Sequence, residues 1–305
     1  MSADTLSLGT VAGVPVTVPV AAVELARHHA AQIAAALGLS ETESSMHAYW
    51  DLAHRLRLWG ALIERVGLEQ LRQMRVLEIG SGMGLFALAG RLLGVDVVGL
   101  EPSQQQYDAS LAVARLLFGG HPAELTLIQA AGEQLPLPDG RFDLVVSFQT
   151  FEHVGHLPAV LREIARVLRP DGLLFAQLPN YAAWYECHYG VFAPLAAGKG
   201  LTRAYLRLLG RPTGFLEHLQ WVSPPLLLRQ LADAGFVATQ VRPAGGRPLP
   251  LPPGAAALPL PFTPQRGRRA QRAATLLARL TQRLARSDGF YPQIELWAGK
   301  QNSSL

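Results

Sequence analysis

The chain has 305 residues, which is enough for one full α/β core with additional elements or for two small domains. Its composition is that of a globular protein, although 16% of charged residues is a low fraction, and its net charge of +4 gives no basis for nucleic-acid binding. The single cysteine, Cys187, excludes an internal disulfide. No apolar run of roughly 18 residues is free of proline, glycine or charge, and no secretory signal begins the sequence, so we expect a cytoplasmic protein without a transmembrane helix.

Residues 1–70 are predicted to form an N-terminal helical segment. Residues 1–18 are typical of an irregular or short-strand tail, and the Ala-rich stretch Val20–Leu37 has helical spacing. Ser40 or Thr42 is a candidate cap for a second long helix, which we expect to run from about Ser44 to Gly60 or beyond.

Residues 76–86 form the most informative stretch of the sequence. An apolar run ends in Glu78 and is followed by the spacing E-x-G-x-G-x-G, with glycines at 80, 82 and 84, and then by a helical pattern. Glycine tolerates positive φ and has no Cβ, so a nucleotide-like ligand can lie against the bare backbone of such a loop. We therefore predict a ligand-binding turn between a buried strand and a helix.

Strands and helices alternate from Arg75 onwards. The predicted strands are Arg75–Ile79, Asp96–Leu100, Glu124–Gln129, Phe142–Ser147 and Gly172–Leu178, and the predicted helices are about Leu85–Leu93, Ser103–Leu117 and Leu157–Leu168. Later come a helix over Leu226–Ala234, a strand to about Val241 and a last strand over Gln293–Lys300. This alternation predicts a doubly wound α/β fold, which binds ligands at the carboxyl ends of its strands.

Two further motifs accompany the glycine loop. Glu101 ends the second predicted strand, where a carboxylate can accept both hydroxyls of a ribose. Residues 132–143 read G-E-Q-L-P-L-P-D-G-R-F-D. Together with the glycine loop, these motifs resemble class I methyltransferases that use S-adenosylmethionine, of the small-molecule, type-11-like kind. One departure is Ala131, which occupies the position of the family's usual adenine-binding aspartate.

The resemblance implies a Rossmann-like, doubly wound sheet of seven strands whose last strand is antiparallel, with N-terminal helices and two insertions. It implies S-adenosylmethionine as the cofactor and a small molecule as the methyl acceptor. The cofactor-binding residues that it implies are Glu78, Gly80, Ser81, Gly82, Gly84, Glu101, Pro102, Gly132, Glu133 and Gln149. Glu133, or the amide of Gly132, would serve the adenine in place of the missing aspartate.

Two alternatives remain open. An NAD-dependent oxidoreductase would carry G-x-G-x-x-G/A, but Leu85 falls on the third small position, and Glu78 would repel a pyrophosphate. A carboxylate at that position suits the ammonium and sulfonium of S-adenosylmethionine instead. The second alternative is a cofactor-binding subunit without catalysis, for which the departure at Ala131 is the motivation.

Candidate acceptor-side residues follow the fourth and fifth predicted strands. His153 is either a general base or a residue that orders its loop. Tyr181, Tyr185, His188 and Tyr189 either border the acceptor or pack as part of an insertion. We expect no metal site, because Glu186, Cys187 and His188 are adjacent in sequence and cannot all face one ion from a regular element.

The expected domain organisation places the core for the cofactor at residues 71–180. An acceptor-side insertion follows at 181–222, then a core helix and strand at 223–242, a Pro-rich and Arg/Leu helical insertion at 243–289, and the final strand and tail at 290–305. The Arg/Leu helix has three candidate roles: a lid with a solvated basic edge, contact with an anionic acceptor, and peripheral contact with an anionic membrane. The oligomeric state is not readable from the sequence.

Overall fold

The computed structural model describes residues 5–39, 50–102, 109–124, 126–193, 195–243 and 292–300. Three predictions lie at least partly outside these ranges. They are the capped start of the second N-terminal helix, the start of the helix expected at Ser103, and the insertion beyond Pro243 with its Arg/Leu helix. Peripheral membrane contact through that helix therefore stays a prediction.

The predicted strands and helices occur in the expected order, together with short elements that were not predicted. The strands are β1 Thr5–Val11, β2 Val14–Pro19, β3 Arg75–Ile79, β4 Asp96–Glu101, β5 Leu127–Gln129, β6 Phe142–Phe148, β7 Leu168–Pro179, β8 Tyr185–Glu186, β9 Val191–Phe192, β10 Phe236–Pro243 and β11 Gln293–Lys300. The helices are α1 Val20–Leu37, α2 Leu52–Val66, α3 Leu68–Gln73, α4 Leu85–Leu92, α5 Ser110–Gly119, α6 Leu157–Val167, α7 Lys199–Leu208, α8 Gly214–Glu217 and α9 Pro224–Asp233.

A seven-stranded sheet forms the centre of the molecule, with the strand order β10-β11-β7-β6-β3-β4-β5. The strands from β7 to β5 are parallel, whereas β11 is inserted antiparallel to both β7 and β10. The central strands are almost entirely buried, as parallel strands covered by helices on both faces must be. The predicted doubly wound sheet with an antiparallel last strand is thus confirmed.

Three local predictions need adjustment. The antiparallel hairpin of β1 and β2 agrees with the short-strand tail predicted for residues 1–18, and it departs only from the description of residues 1–70 as a helical segment. Strand β5 begins at Leu127, three residues later than the predicted Glu124. Strand β7 begins at Leu168, directly after α6 and ahead of Pro170, because the exposed residues 169–171 continue in extended conformation before the buried run.

The N-terminal helix α2 packs on the first core helix, α4. The Trp59 ring is fully buried and stacks on Phe86 with 4.6 Å between centroids, and its indole N–H donates to the Phe86 carbonyl at 3.0 Å. Gly90 makes this approach achievable, because a Cβ there would lie 2.1 Å from the Trp59 ring. The helix thereby becomes part of the same hydrophobic core as the sheet, and its Arg55 interacts electrostatically with Glu78 on β3.

The insertion predicted at residues 181–222 has an apolar core of its own. It contains β8, β9, α7 and α8, and its buried side chains include Tyr181, Tyr189, Leu195, Leu206 and Phe215. Ile33 and Leu37 of α1 belong to the same cluster, so α1 covers the insertion. Within the described ranges, none of the helices has the length and apolar character needed to cross a membrane.

Candidate active site

The glycine loop connects β3 to α4 and has the backbone that its sequence predicts. Gly80, Gly82 and Gly84 all have positive φ, at 74°, 53° and 80°. The N–H groups of Gly80 and Ser81 both donate to the Leu100 carbonyl, at 2.8 and 2.9 Å. The turn is therefore fastened to the end of the neighbouring strand β4.

The three glycines are required for different reasons. A Cβ on Gly80 would lie 2.3 Å from Thr150 Oγ1, so this position is closed by the loop that follows β6. A Cβ on Gly84 would meet Phe118 at 3.1 Å. At Gly82, in contrast, no described atom lies within 4 Å of the point that a Cβ would occupy. Gly82 thus has bare backbone facing open space, which is the shape that a ligand against the loop requires.

Glu101 is the acid that the sequence places at the end of β4. Its side chain is buried, and its Oε2 accepts a hydrogen bond from the Gly82 N–H at 2.8 Å. The carboxylate is therefore directed at the glycine loop. Pro102 follows it, half-buried, at the edge of the described residues.

Glu78 adds a second buried carboxylate at the same end of the sheet. Burial raises its pKa to about 8, the positive charge of Arg55 acts in the opposite direction, and Glu101 raises the pKa further. Its Oε2 has no hydrogen-bond partner among the described residues. A buried carboxylate of this kind is costly on its own and is stabilised by a cationic group.

Arg55, on α2, is the positively charged residue that lowers the pKa of Glu78. The sequence analysis did not identify it. Its Nε is buried and has no partner in the described part of the chain, and burial lowers its pKa. The signal was available: Arg55 lies three residues after Leu52 and four before Trp59, so it occupies the buried stripe of an amphipathic helix. A charge at such a position is a candidate for function.

These features fit a ligand with the groups of S-adenosylmethionine. The unpartnered Glu78 oxygen suits an ammonium or sulfonium, the Arg55 Nε suits a carboxylate, and Glu101 suits hydroxyls. Ser81 Oγ is also buried without a partner in the described chain, and the backbone at Gly82 faces open space. Both ends of an amino-acid group, and the sugar beside it, thus have complementary partners in this chain.

The loop at residues 132–143 is held by charged side chains. Glu133 Oε1 accepts from the N–H groups of Gly155 and His156, at 2.7 and 3.1 Å, so this carboxylate joins the loop to the segment before α6. Arg166 donates to the carbonyls of Leu135 and Leu137 and pairs with Glu163. Gly132 is buried, and a Cβ there would lie 3.3 Å from Val160.

Gln149 begins the loop after β6 in an unusual conformation. Its φ is 52°, which is uncommon for a residue with a side chain, and its N–H donates to the Gln177 carbonyl at 2.8 Å. The next residue, Thr150, contacts Gly80 of the glycine loop. The strained turn therefore joins the cofactor-side loop to the residues that follow, Glu152 and His153.

His153 and His188 meet on the other side of this loop. Their Nε2 atoms are 3.3 Å apart and their rings are nearly perpendicular. His188 Nδ1 lies 2.8 Å from Glu186 Oε1, and burial and the His188 charge together lower the pKa of His153. Because the two rings are 35 positions apart in sequence, only the fold could reveal this pair.

Glu152 is fully buried beside this pair. Neither of its carboxylate oxygens has a hydrogen-bond partner among the residues described, and Oε1 is 3.8 Å from His153 Nε2. Burial raises its pKa to about 7, and His188 acts in the opposite direction. The sequence analysis did not identify Glu152 as a site residue.

The segment around His188 corrects the argument against a metal site. Glu186 ends the two-residue strand β8, and Cys187 and His188 lie in the turn after it, so the chain is not regular there. Donor atoms of Glu186, Cys187 and His188 all lie within 4.8 Å of one another, and the same holds for Glu152, His153 and His188. Residues that are adjacent in sequence can therefore direct their donor atoms to one point in this irregular turn.

The predicted acceptor-side tyrosines are buried. Tyr181, Tyr185 and Tyr189 are exposed by 1%, 2% and 0%, so they pack within the insertion. The Tyr185 hydroxyl has no hydrogen-bond partner in the part of the chain that is described, and burial raises its pKa. Burial also raises the pKa of Tyr189, to about 12.

The sheet order and the glycine-loop site together define a class I methyltransferase. Residues 52–241, more than half of the chain, match a family model described as a methyltransferase domain. The chain belongs to this methyltransferase domain family, and its cofactor is S-adenosylmethionine. This family membership argues against the first alternative, an NAD-dependent oxidoreductase.

Curated relatives agree with this family. A ubiquinone biosynthesis O-methyltransferase of Bradyrhizobium diazoefficiens is 29% identical over 173 residues, which are 57% of this chain and 62% of the relative. An uncharacterised methyltransferase of Mycolicibacterium vanbaalenii is 31% identical over 125 residues, 41% of this chain and 46% of that protein. The chain thus spans less than two thirds of the length of these relatives.

A solved structure has the same fold. The YcgJ protein of Bacillus subtilis aligns with a TM-score of 0.51 and 21% identity, over 83% of this chain and all of that one. At this identity the similarity concerns the fold.

Proposed function

We propose that this protein transfers a methyl group from S-adenosylmethionine to an oxygen, nitrogen or carbon of a small molecule. Of these three acceptor atoms, we favour a hydroxyl oxygen. The acceptor classes in view are a phenol, a quinone precursor, a sugar or another secondary metabolite. The observation that carries the proposal is the pair of buried carboxylates, Glu78 and Glu101, that flank the open backbone at Gly82.

Different residues would bind the ribose, the amino-acid half and the adenine of the cofactor. Glu101 would accept hydrogen bonds from the ribose hydroxyls while keeping the Gly82 N–H. Glu78 would face the ammonium, and Arg55 the carboxylate, of the amino-acid half. Gly132 and Glu133 remain candidates for the adenine side, where Glu133 would have to act while retaining its bonds to the loop before α6.

When bound, S-adenosylmethionine supplies a methyl group that its sulfonium has already activated. The protein therefore has to align the acceptor, exclude water and remove a proton where the acceptor is a hydroxyl. Thr150 lies against Gly80, and Glu152 and His153 follow within three residues, so these polar groups would be close to an acceptor bound beside the cofactor. A hydroxyl acceptor suits these groups and agrees with the names of the O-methyltransferase relatives.

Calorimetry with S-adenosylmethionine and with NAD tests the cofactor. We expect saturable binding of S-adenosylmethionine and none of NAD. Turnover of labelled S-adenosylmethionine with a panel of phenols, catechols, sugars and amines then tests catalysis and the acceptor atom. Cofactor binding with no turnover on any member of a broad panel would favour the remaining alternative, a cofactor-binding subunit without catalysis.

A further inference from the structure

The buried Glu152–His153–His188 cluster has the composition and geometry of a metal site. From it we propose that this protein binds one first-row divalent cation, of the Zn²⁺, Fe²⁺ or Mn²⁺ type, through a Glu152 carboxylate oxygen, His153 Nε2 and His188 Nε2. The proposal deepens the proposed function, on which its catalytic meaning rests, because the ion would lie on the acceptor side of the glycine loop.

The distances within the cluster suit a shared ion. Ligands about 2.1 Å from a metal are roughly 3.0 to 3.5 Å from each other in octahedral or tetrahedral geometry. The two Nε2 atoms are 3.3 Å apart, and Glu152 Oε1 is 3.8 Å from His153 Nε2. The three donor atoms lie within 4.8 Å of one another, so small side-chain rotations bring them to one centre.

Glu152 decides between a metal and a simple hydrogen bond between the two imidazoles. A proton shared by the two rings would explain their 3.3 Å contact, but it would leave Glu152 unaccounted for. That carboxylate is 0% exposed, and neither of its oxygens has a hydrogen-bond partner among the described residues. A cation satisfies the carboxylate and both imidazoles together, which a shared proton does not.

Glu186 occupies the position of an outer-sphere partner. Its Oε1 is 2.8 Å from His188 Nδ1, so it orients the ring and leaves Nε2 as the ligand atom. Metal-binding histidines commonly have such a carboxylate on their second nitrogen. The other Glu186 oxygen accepts from the Tyr189 N–H at 2.6 Å, so both oxygens are already engaged.

These engagements also select among the candidate ligand sets. Glu186, Cys187 and His188 form a second convergent group, but in it the ligand atom of Glu186 would be an oxygen that already takes part in a hydrogen bond. Glu152 has no such bonds to lose in the described structure. Two imidazoles and one carboxylate favour a transition metal over Mg²⁺ or Ca²⁺, and they leave coordination positions open for an acceptor oxygen.

The test uses the full-length, tag-free protein after treatment with a chelator. Titration with Zn²⁺ by calorimetry, and with Co²⁺ by visible absorption, should show one bound ion per chain. We expect His188→Gln and Glu152→Gln to weaken binding by at least roughly 100-fold, and Glu186→Gln by about 10- to 100-fold, as for an orienting partner. The exposed His218→Gln and the neighbouring Cys187→Ser serve as controls and should leave the affinity within about twofold.

Three results would overturn the proposal. The unmodified protein could fail to bind Zn²⁺ and Co²⁺, or the His188→Gln variant could bind the metal as tightly as the unmodified protein. The third result is that Cys187→Ser loses metal binding while Glu152→Gln keeps it. The Co²⁺ spectrum of the unmodified protein keeps the test decisive if a variant fails to fold. S-adenosylmethionine affinity, measured on the same samples without metal, tests the proposed function separately.

Discussion

The N–H of Gly82 and the Oε2 of Glu101 are joined by a hydrogen bond of 2.8 Å, although the two residues belong to different strand-loop units. The bond connects the turn after β3 to the end of the adjacent parallel strand β4. It fixes the rotamer of a carboxylate, a group with enough acceptor capacity to bind ribose hydroxyls as well. A side chain ordered in this way loses less conformational entropy when a ligand binds.

Replacement of Glu101 by alanine should weaken S-adenosylmethionine binding strongly. Hydrogen bonds to a charged group contribute about 1.5–3 kcal/mol each, which corresponds to a loss of roughly 10- to 100-fold in affinity. Calorimetry gives the affinity directly. The exposed Glu124→Ala is a matched control, because it removes the same charge close to β5. Equal affinities for the two variants would contradict the assignment of Glu101.

Alanine substitutions should separate the roles of the loop glycines. Gly82→Ala adds a methyl group in open space, so we expect a folding cost of only about 1–2 kcal/mol from its positive φ, together with a large loss of cofactor affinity. Gly140→Ala, with φ 60° and no atom within 4 Å, carries the same strain away from the site and should bind normally. Denaturant titration and calorimetry give both quantities.

Gly80→Ala should differ from both of these variants. Its methyl group would collide with Thr150, which adds an overpacking cost of about 1–3 kcal/mol to the backbone strain. Urea unfolding should therefore rank Gly80→Ala as clearly less stable than Gly82→Ala. Identical midpoints would mean that the loop after β6 does not close on Gly80.

The contact between Trp59 and Phe86 should contribute to global stability. Trp59→Ala removes a fully buried ring and its hydrogen bond to the Phe86 carbonyl, for which we expect a loss of about 3–5 kcal/mol. Leu68→Ala, at a partly buried position on α3, is a suitable comparison and should cost much less. A small effect of Trp59→Ala on the unfolding midpoint would show that α2 is not part of the cooperative core.

Glu78 should make cofactor binding depend on pH. Its pKa of about 8 lies above the ordinary value of 4.5, so the folded protein holds a proton that the unfolded chain releases, and this contribution to stability disappears as the pH rises from about 4.5 through 8. A bound cation favours the carboxylate, so binding below pH 8 should release a proton, and affinity should increase as the pH rises towards 8 and level off above it. Calorimetry in buffers of different ionisation enthalpy measures the released proton.

Glu78→Gln provides the comparison for this linkage. The variant should show no proton release from this position and a flatter pH dependence of affinity. All other titratable groups are present in both proteins, so the difference between the two numbers of released protons measures the effect of the Glu78 carboxyl group. The same proton release from both proteins would assign the linkage to another group.

Local patterns were sufficient to predict the sheet and the cofactor loop. The features that predicted them are the glycine spacing, the apolar run before Glu78 and the acid at Glu101. Each of these features, like the alternation of strands and helices, can be recognised from neighbours within a few residues. The antiparallel insertion of β11 came from the family resemblance, and the register Leu296 with Ala176 confirms it. The roles of the individual site residues remain predictions.

Contacts between distant segments account for what sequence reasoning missed. Arg55 affects Glu78 only because Trp59 packs on Phe86 and brings α2 to the sheet. The His153–His188 contact joins the loop after β6 to the turn after β8, and no periodicity records it. The start of β7 was misplaced because Pro170 and Gly172 are typical turn residues, yet this part of the strand stays extended.

The register of β10 and β11 has a consequence for engineering. Pro243 and Ile294 are direct partners, so the polypeptide leaves and rejoins the sheet at adjacent points. A tight two-residue turn is sufficient to connect antiparallel neighbours. We therefore expect that the residues between Pro243 and Gln293 can be replaced by a short turn or by a reporter domain while β10 and β11 remain paired.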